Sequence, residues 1–155
     1  MNILLISPKY DSYIVAPHLG LGYLSSTLKK YGHKVKVLDG LREEIVYDPE
    51  DWDIVGVSAM STYFPECCKD VEKAKSYGLK TIIGGPHIIC DPEQSLIDSQ
   101  ADYAASGEGE RTLTQLASGK EPSQVEGLIY WEDGKPRRSR PNVKDLFQKK
   151  SFTKL

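Results

Sequence analysis

The chain has 155 residues and a formal net charge of −2, with 39% hydrophobic and 27% charged residues. This length suits a single domain with a substantial core, and the composition is typical of a globular protein. The charge, with no long basic run, argues against nucleic acid as the main partner, and no apolar run approaches the roughly 20 residues that span a membrane. Three cysteines provide neither a disulfide framework nor a metal site, so we expect a cytoplasmic protein.

Five short apolar segments, separated by helical patterns, predict five β-strands. The predicted strands cover residues 2–6, 34–38, 53–58, 81–83 and 101–105, and the predicted helices begin near residues 18, 64, 91 and 107. Gly32 and Gly78 are expected to end the first two helices, and Asp91 is expected to cap the third. Strands that alternate with helices favour an α/β fold, here a doubly wound, parallel, five-stranded sheet of flavodoxin-like (Rossmann-like) type in the order 2-1-3-4-5.

The pattern changes after residue 125. Residues 126–138 predict a C-terminal β-hairpin, because Asp133-Gly134 is a strong turn signal between two short strands. Residues 139–155 are basic and poor in apolar side chains, which is typical of an extended linker that leaves a domain. We therefore expect an α/β domain over residues 1–125, an appended hairpin and a linker.

Glycines and hydroxyl side chains follow the predicted strand ends. The fourth strand runs into Gly84-Gly85-Pro86-His87, and the other loops cover residues 7–19, 58–62 and 106–110. Because the carboxyl ends of neighbouring parallel strands meet at one edge, we expect these four loops to line one groove. Small residues and exposed backbone N–H groups suit a large, amide-rich ligand that the backbone approaches closely. Neither paired carboxylates nor a Ser-His-Asp arrangement is visible, so no catalytic residue is predicted.

Each of these motifs also has a purely structural explanation. Gly84-Gly85 fits a tight junction between a strand and a turn, and Ser58 and Ser61 fit helix caps. The run Gly107-Glu108-Gly109-Glu110 does not predict a phosphate loop, because two carboxylates at a helix N-terminus repel a phosphate. No Gly-x-Gly-x-x-Gly follows the first strand, so a dinucleotide-binding site is not supported.

Four motifs occur in order along the chain. They are Pro17-His18-Leu19-Gly20-Leu21-Gly22-Tyr23-Leu24, Ser58-x-Met60, Gly84-Gly85-Pro86-His87, and Asp102-Tyr103 followed by Gly107-Glu108-Gly109-Glu110. The hairpin and the segment 140–146 complete the pattern, which spans nearly the whole chain. Together the motifs resemble the cobalamin-binding N-terminal domain of radical S-adenosylmethionine enzymes, in particular the methyltransferases and the anaerobic magnesium-protoporphyrin ester cyclase group.

The resemblance implies that cobalamin lies over the carboxyl ends of the strands. Its nucleotide tail would run beside Ser58, Met60, Gly84 and Gly85, and its corrin ring would rest on the loops after strands 1 and 3. The residues expected to bind the cofactor are Ser7, Pro17, His18, Leu19, Gly20, Ser58, Ala59, Met60, Ser61, Gly84, Gly85, Pro86, His87, Gly107, Glu108 and Gly109.

Two departures from related families matter. Methionine-synthase-like domains carry Asp-x-His-x-x-Gly after strand 1, but here Ala16 precedes His18 where the Asp would be, and Gly20 comes one residue early. We therefore expect no histidine ligand to cobalt. The cysteine motif that holds a [4Fe–4S] cluster is missing from this sequence, so the cluster and S-adenosylmethionine would belong to a C-terminal barrel of the same polypeptide. This chain alone is not expected to catalyse methyl transfer or a related radical reaction.

Three alternatives remain open at this point. The first is a degenerate domain of the same family that serves only as a scaffold. The second is an unrelated flavodoxin-like module that holds a small molecule such as a flavin. A stacked flavin is disfavoured because the loops after strands 3 and 4 are nearly free of aromatic residues, apart from Tyr63. The third is a signalling receiver, which is disfavoured because strand 1 ends in Ile6-Ser7-Pro8 without an acidic pair.

Overall fold

A computed structural model describes residues 1–11 and 18–139. Within these ranges the strands are β1 (Asn2–Ser7), β2 (Lys34–Asp39), β3 (Ile54–Ser58), β4 (Lys80–Gly84), β5 (Tyr103–Ala105), β6 (Leu128–Glu132) and β7 (Lys135–Arg138). The α-helices are α1 (Leu19–Lys30), α2 (Phe64–Ser76), α3 (Pro86–Cys90), α4 (Pro92–Ser99) and α5 (Gly109–Ala117). Short 3₁₀ turns cover Ser61–Tyr63 and Pro122–Gln124.

The strands form one sheet in the order β2-β1-β3-β4-β5-β6-β7. The first five are parallel to one another, so the predicted α/β fold and the predicted order 2-1-3-4-5 are confirmed. The apolar central strands are buried on both faces, as expected when helices cover a parallel sheet on either side.

The hairpin extends this sheet, which therefore has seven strands rather than the predicted five. β6 pairs antiparallel with β5, and β7 pairs antiparallel with β6. The physical reason lies in β6, where Leu128 and Ile129 are fully buried and complete the core on the two faces. Ser139 continues the pairing, since its amide donates to the Leu128 carbonyl at 2.8 Å. The remainder of the predicted linker, residues 140–155, lies outside the described residues.

Alternate residues of each strand face two separate apolar clusters. The α2/α4 face carries Leu4, Ile6, Val55, Val57, Ile83 and Ala104, which pack against α2, α3 and α4. The α1/α5 face carries Ile3, Leu5, Ile54, Ile82 and Ala105, which pack against α1 and α5. This alternation follows from the two-residue period of a strand.

The predicted helix boundaries rest on local signals that the structure confirms. Gly32 and Gly78 follow α1 and α2 with φ values of +84° and +78°, a conformation that glycine adopts without strain. The Asp91 carboxylate accepts a hydrogen bond from the Gln94 amide at 3.3 Å and so caps α4. No helix in the two described ranges is both long and apolar enough to cross a membrane.

Asp102 belongs to one of the sequence motifs, but its side chain joins two strands. Its carboxylate accepts hydrogen bonds from the amide and the hydroxyl of Thr81, both at 2.9 Å, and pairs with Lys80 at 3.2 Å. Burial raises the pKa of Asp102, but these hydrogen bonds outweigh it and hold the pKa below its usual value. Asp102 thus ties the start of β5 to the start of β4, at the edge of the sheet opposite to the predicted groove.

Candidate functional site

A cavity of about 330 Å³ lies where the parallel strands end, between the sheet and helices α1 and α5. Its wall is formed by Leu5, His18, Gly20, Leu21, Leu24, Gly56, Val57, Ser58, Ile82, Ile83, Gly84, Gly85, Pro86, Ala105, Gly107, Gly109, Glu110 and Leu113. These residues come from all four loops that the sequence places at the strand ends, together with the strands beneath them. The structure therefore brings the four loops to one site.

The cavity lies over three neighbouring strands that carry very small residues on the α1/α5 face. Gly56, Gly84 and Ala105 occupy β3, β4 and β5, and each lines the wall. A Cβ atom at Gly56 would lie 2.8 Å from Leu5 Cδ2, whereas a Cβ atom at Gly84 would meet only Ala105 Cβ, at 3.7 Å. The space beside Gly84 is therefore open, whereas the Leu5 side chain occupies the space beside Gly56.

Gly85 differs from its neighbour because the fold itself requires it. Its φ is +114°, and a Cβ atom there would lie 2.6 Å from the carbonyl oxygen of Ala59. Gly85 is therefore explained by the tight junction between β4 and the turn that follows it, although this residue also lines the cavity. Gly84 has neither constraint and borders the cavity directly.

His18 and Ser58 form a hydrogen-bonded pair in the cavity wall. His18 Nδ1 accepts from the Leu21 amide at 3.4 Å, so His18 caps α1. With Nδ1 acting as an acceptor, we assign the ring proton to Nε2, which donates to Ser58 Oγ at 2.8 Å. Burial lowers the pKa of His18, and the negative charge of Asp39 offsets this only in part. A neutral imidazole suits both hydrogen bonds, and neither ring nitrogen has a lone pair free for a metal.

The loops after β3 and β4 are joined into one rigid rim beside the cavity. The Ala59 amide donates to the Gly84 carbonyl at 2.7 Å, and the His87 amide donates to the Ala59 carbonyl at 3.2 Å. Ser61 Oγ lies 3.0 Å from His87 Nδ1, and the His87 ring stacks on Phe64 with a centroid distance of 3.9 Å. Ala59, Ser61 and His87 therefore lie at the rim without lining the wall, whereas Pro86 lines it.

Several other predicted site residues also lie away from the wall. Ser7 is buried beside Tyr63, and a hydrogen bond between them acts to lower the pKa of Tyr63, although burial dominates and raises it to about 12. Leu19 and Met60 are solvent-exposed and do not line the wall. Pro17 lies outside the described residues.

The Gly107–Glu110 segment contributes to the wall unevenly. Gly107, Gly109 and Glu110 line the cavity, but Glu108, the residue expected from the sequence, is exposed and does not. Glu108 instead precedes α5, where its carbonyl accepts from the Arg111 and Thr112 amides. Of the two glutamates in this segment, the cavity is thus lined by the second, Glu110.

The sequence reasoning missed most of the apolar wall. The wall residues not anticipated are Leu5, Leu21, Leu24, Gly56, Val57, Ile82, Ile83, Ala105, Glu110 and Leu113. One signal was available in the sequence, since a glycine inside a central strand, such as Gly56, marks a place where something approaches the backbone closely. Which of the other residues line the wall depends on which helix faces lie above the sheet.

Within the described residues, no group of three or more His, Cys, Asp or Glu side chains is placed to hold a metal ion. His18 and His87 lie on different loops and each is engaged by a serine. The chemistry of the wall is therefore that of an apolar pocket with a few polar groups, which is typical of small-molecule and cofactor sites.

Comparisons with known proteins agree with this geometry. The family model described as "B12 binding domain" matches residues 10–117. An uncharacterized methyltransferase of Pyrococcus horikoshii is 32% identical over 161 residues, which cover 91% of this chain and 35% of the relative. The chain thus spans about a third of the length of this relative.

Two solved structures share the fold. The radical S-adenosylmethionine methyltransferase TsrM from Kitasatospora setae, with cobalamin and a [4Fe–4S] cluster bound, matches with a TM-score of 0.80 and 21% identity, covering 92% of this chain and 29% of that one. The cobalamin-dependent S-adenosylmethionine radical enzyme OxsB with aqua-cobalamin bound matches with a TM-score of 0.71 and 20% identity, covering 91% and 22%.

The resemblance inferred from the sequence motifs is confirmed by these comparisons. The family match covers more than half of the chain and includes the wall residues of α1, β3, β4 and α5. The chain belongs to the B12-binding domain family.

Proposed function

We propose that this chain binds cobalamin, with the nucleotide tail in the cavity and the corrin ring over the carboxyl edge of the sheet. The observation that carries the proposal is the cavity itself, which opens beside the strand ends where Gly84 and Ala105 leave room on two adjacent strands. Cobalamin is the cofactor that gives the family its name.

The wall suits the chemistry of that tail. The nucleotide base of cobalamin is a flat and mostly apolar ring system, and it would meet leucine and isoleucine side chains and glycine backbone. Ser58 accepts a hydrogen bond from His18, so its own hydroxyl proton stays available for an acceptor atom of the ligand. A wall with one oriented hydroxyl among apolar groups fits a base that carries a ring nitrogen.

His18 has a structural role in this proposal and does not ligate cobalt. Both of its ring nitrogens are used, one to cap α1 and one to hold Ser58. Substituting His18 would therefore alter the tail pocket before it altered the cobalt environment.

We further propose that the chain serves a larger enzyme, in which cobalamin supplies a cobalt centre that carries a methyl group or exchanges an electron. The [4Fe–4S] cluster, S-adenosylmethionine and the substrate would then belong to a C-terminal radical S-adenosylmethionine barrel of the same polypeptide, in the cytoplasm as the cysteine pattern suggests. Support comes from the similarity to methyltransferases of which this chain spans only about a third. The task of this chain is to bind and orient the cofactor.

The test is a titration of the protein with hydroxocobalamin, followed by visible absorbance and calorimetry. Saturable binding is expected in the wild type, and Gly84→Val should weaken it by about 10- to 100-fold, because the added methyl groups enter the cavity. Gly84→Ala should have a smaller effect. Gly85 is unsuitable for this test, since any side chain there collides with Ala59 and would disturb the fold.

Gly22→Val provides the control for the same chemical change at a distance from the wall. Gly22 lies on α1, and a Cβ atom there meets nothing within 4 Å. Equal losses in Gly84→Val and Gly22→Val would contradict the proposed location. If the full-length protein does not bind cobalamin at all, the chain is a scaffold that has lost the cofactor site of its family.

A further inference from the structure

The two carboxylates of the Gly107–Glu110 segment occupy different environments. Glu108 is exposed and precedes α5, whereas Glu110 is half-buried and lines the cavity. A charged side chain in a wall formed mostly by glycines and apolar side chains needs a physical reason, because desolvating a carboxylate costs free energy unless it finds a donor.

The geometry of α5 directs Glu110 toward the cavity. Glu110 is in the first turn of this helix, and Leu113, three residues later, lines the same wall. Residues three apart share one face of a helix. Gly109, which lies 3.9 Å from Leu24 as measured to an ideal Cβ, brings α5 close to α1 and closes the cavity over this face.

Glu110 has no neighbour that neutralises it among the residues that the structure describes. The adjacent cation, Arg111, pairs instead with Glu126 at 2.7 Å. No hydrogen bond or ion pair of the Glu110 carboxylate is found within residues 1–11 and 18–139. Glu110 lines the cavity, so its carboxylate offers hydrogen-bond acceptors to a ligand there and is stabilised by the positive end of the helix dipole.

The ligand group that contacts the Glu110 carboxylate must be a hydrogen-bond donor. A carboxylate repels the phosphate of the nucleotide tail and requires a hydrogen-bond donor. Cobalamin offers two kinds of donor, the free hydroxyl groups of the ribose and the amide groups on the rim of the corrin ring. The ribose is joined directly to the base, which we place inside the cavity, whereas the corrin ring lies outside over the strand ends.

We propose that Glu110 binds a ribose hydroxyl of the cobalamin nucleotide and thereby makes the site selective for cofactors that carry this nucleotide. This role rests on the proposed cobalamin function and adds a specificity-determining residue to it. Glu110 fixes the sugar, while the apolar wall holds the base.

The experiment compares cobalamin with cobinamide, which keeps the corrin ring and its amides but lacks the nucleotide. Calorimetric titrations would use the wild-type protein, Glu110→Ala, Glu110→Gln and Glu108→Ala, with Glu72→Ala on the outer face of α2 as a charge-matched control. Glu110→Ala should weaken cobalamin binding by about tenfold or more, as expected for the loss of one hydrogen bond to a charged group, and should leave cobinamide binding unchanged. Glu110→Gln should lose less, because its carbonyl oxygen still accepts.

Each other outcome has a distinct meaning. Equal weakening of cobalamin and cobinamide would overturn the ribose assignment in favour of a corrin amide. An equally large loss in Glu108→Ala would also overturn it, because the effect would then follow the charge at the start of α5 and not a contact. Unchanged cobalamin binding in Glu110→Ala overturns this role alone, whereas absent binding in the wild type overturns the cobalamin function as well. Thermal unfolding of each variant confirms that the fold is intact.

Discussion

The two faces of the sheet differ most where the parallel strands end. On the α2/α4 face this region is filled with aromatic side chains, since Tyr63 is 3% exposed and its ring stacks on Tyr10 at a centroid distance of 4.2 Å. On the α1/α5 face, Gly84 and Ala105 border a cavity of about 330 Å³. The same three-layer architecture thus packs tightly around Tyr63 on one face and leaves an apolar opening beside Gly84 and Ala105 on the other.

This difference shows how a small domain separates stability from binding. Protein interiors are close-packed and leave few large voids, so an opening of this size beside a well-filled core reflects the choice of side chains. The filled face stabilises the fold by burying apolar area, and the open face provides a cavity that a ligand can enter. Changes on the filled face should therefore act on the free energy of unfolding, and changes on the open face should act first on ligand binding.

The largest expected effect comes from creating a void on the filled face. Tyr63→Ala should lower the free energy of unfolding by about 4 kcal/mol, because it removes a buried ring and its stacking contact with Tyr10. Urea denaturation would measure the change. The control is Tyr23→Ala on α1, where the ring is 70% exposed and a change within about 0.5 kcal/mol is expected. Similar losses in the two variants would show that the aromatic cluster is not a main source of stability.

A second test uses two neighbouring alanines of β5 that face opposite sides. Ala104 is fully buried on the α2/α4 face, and Ala105 lines the cavity. Ala104→Leu should destabilise the protein by about 1–3 kcal/mol, because a filled core has no room for the added atoms. Ala105→Leu should leave the free energy of unfolding unchanged or raise it, and should abolish cobalamin binding by occupying the cavity.

Urea denaturation and a cobalamin titration on both variants distinguish the two faces. If Ala105→Leu destabilises the protein as much as Ala104→Leu does, the cavity is not open in solution and the contrast between the faces fails.

The smallest expected effect concerns the pH dependence of stability on the open face. Burial lowers the pKa of His18 below its ordinary value of about 6.5. The unfolded state then binds the proton more readily, so His18 contributes stability that is fully present above about pH 6.5 and is lost as the pH falls toward the lowered pKa. Protonation of Nδ1 would also end the cap on α1.

Urea denaturation at pH 7.5 and pH 5.5 would measure this contribution. His18→Asn is the matched variant, because asparagine also caps a helix but does not titrate. The variant should lose less stability than the wild type on acidification. A residual loss is expected from His33, whose pKa is also lowered by burial and by the N-terminal amino group. If the two proteins lose the same amount of stability on acidification, His18 does not contribute to the pH dependence of stability.

The fold could be predicted from the sequence because its signals are local. Glycines after α1 and α2, the Asp91 cap and short apolar strands separated by helices each act within a few residues. The order of the parallel strands then followed from general rules of chain connection. The hairpin was predicted as an element, but its attachment to β5 was not, because pairing at a sheet edge depends on which apolar residues remain uncovered.

The site could be predicted only in part. Loop motifs located Ser58, Gly84 and the segment at residues 107–110, since strand ends carry ligands in this class of fold. They could not distinguish Glu110 from Glu108, because that choice depends on the rotation of α5 above the sheet. Nor could they show that Gly85 is required by its contact with Ala59, which only the packing of two loops reveals.

The edge hairpin also sets the direction in which the chain continues. β6 runs antiparallel to β5 and β7 runs antiparallel to β6, so β7 points the same way as the parallel strands. Arg138 is anchored to Glu93 by two hydrogen bonds of 3.1 Å, and Ser139 pairs with Leu128, which lies opposite Ala105 of the cavity wall. Ser139 therefore lies at the edge of the sheet that carries the cavity, so a module attached after it would be tethered on the cavity side at a high effective concentration.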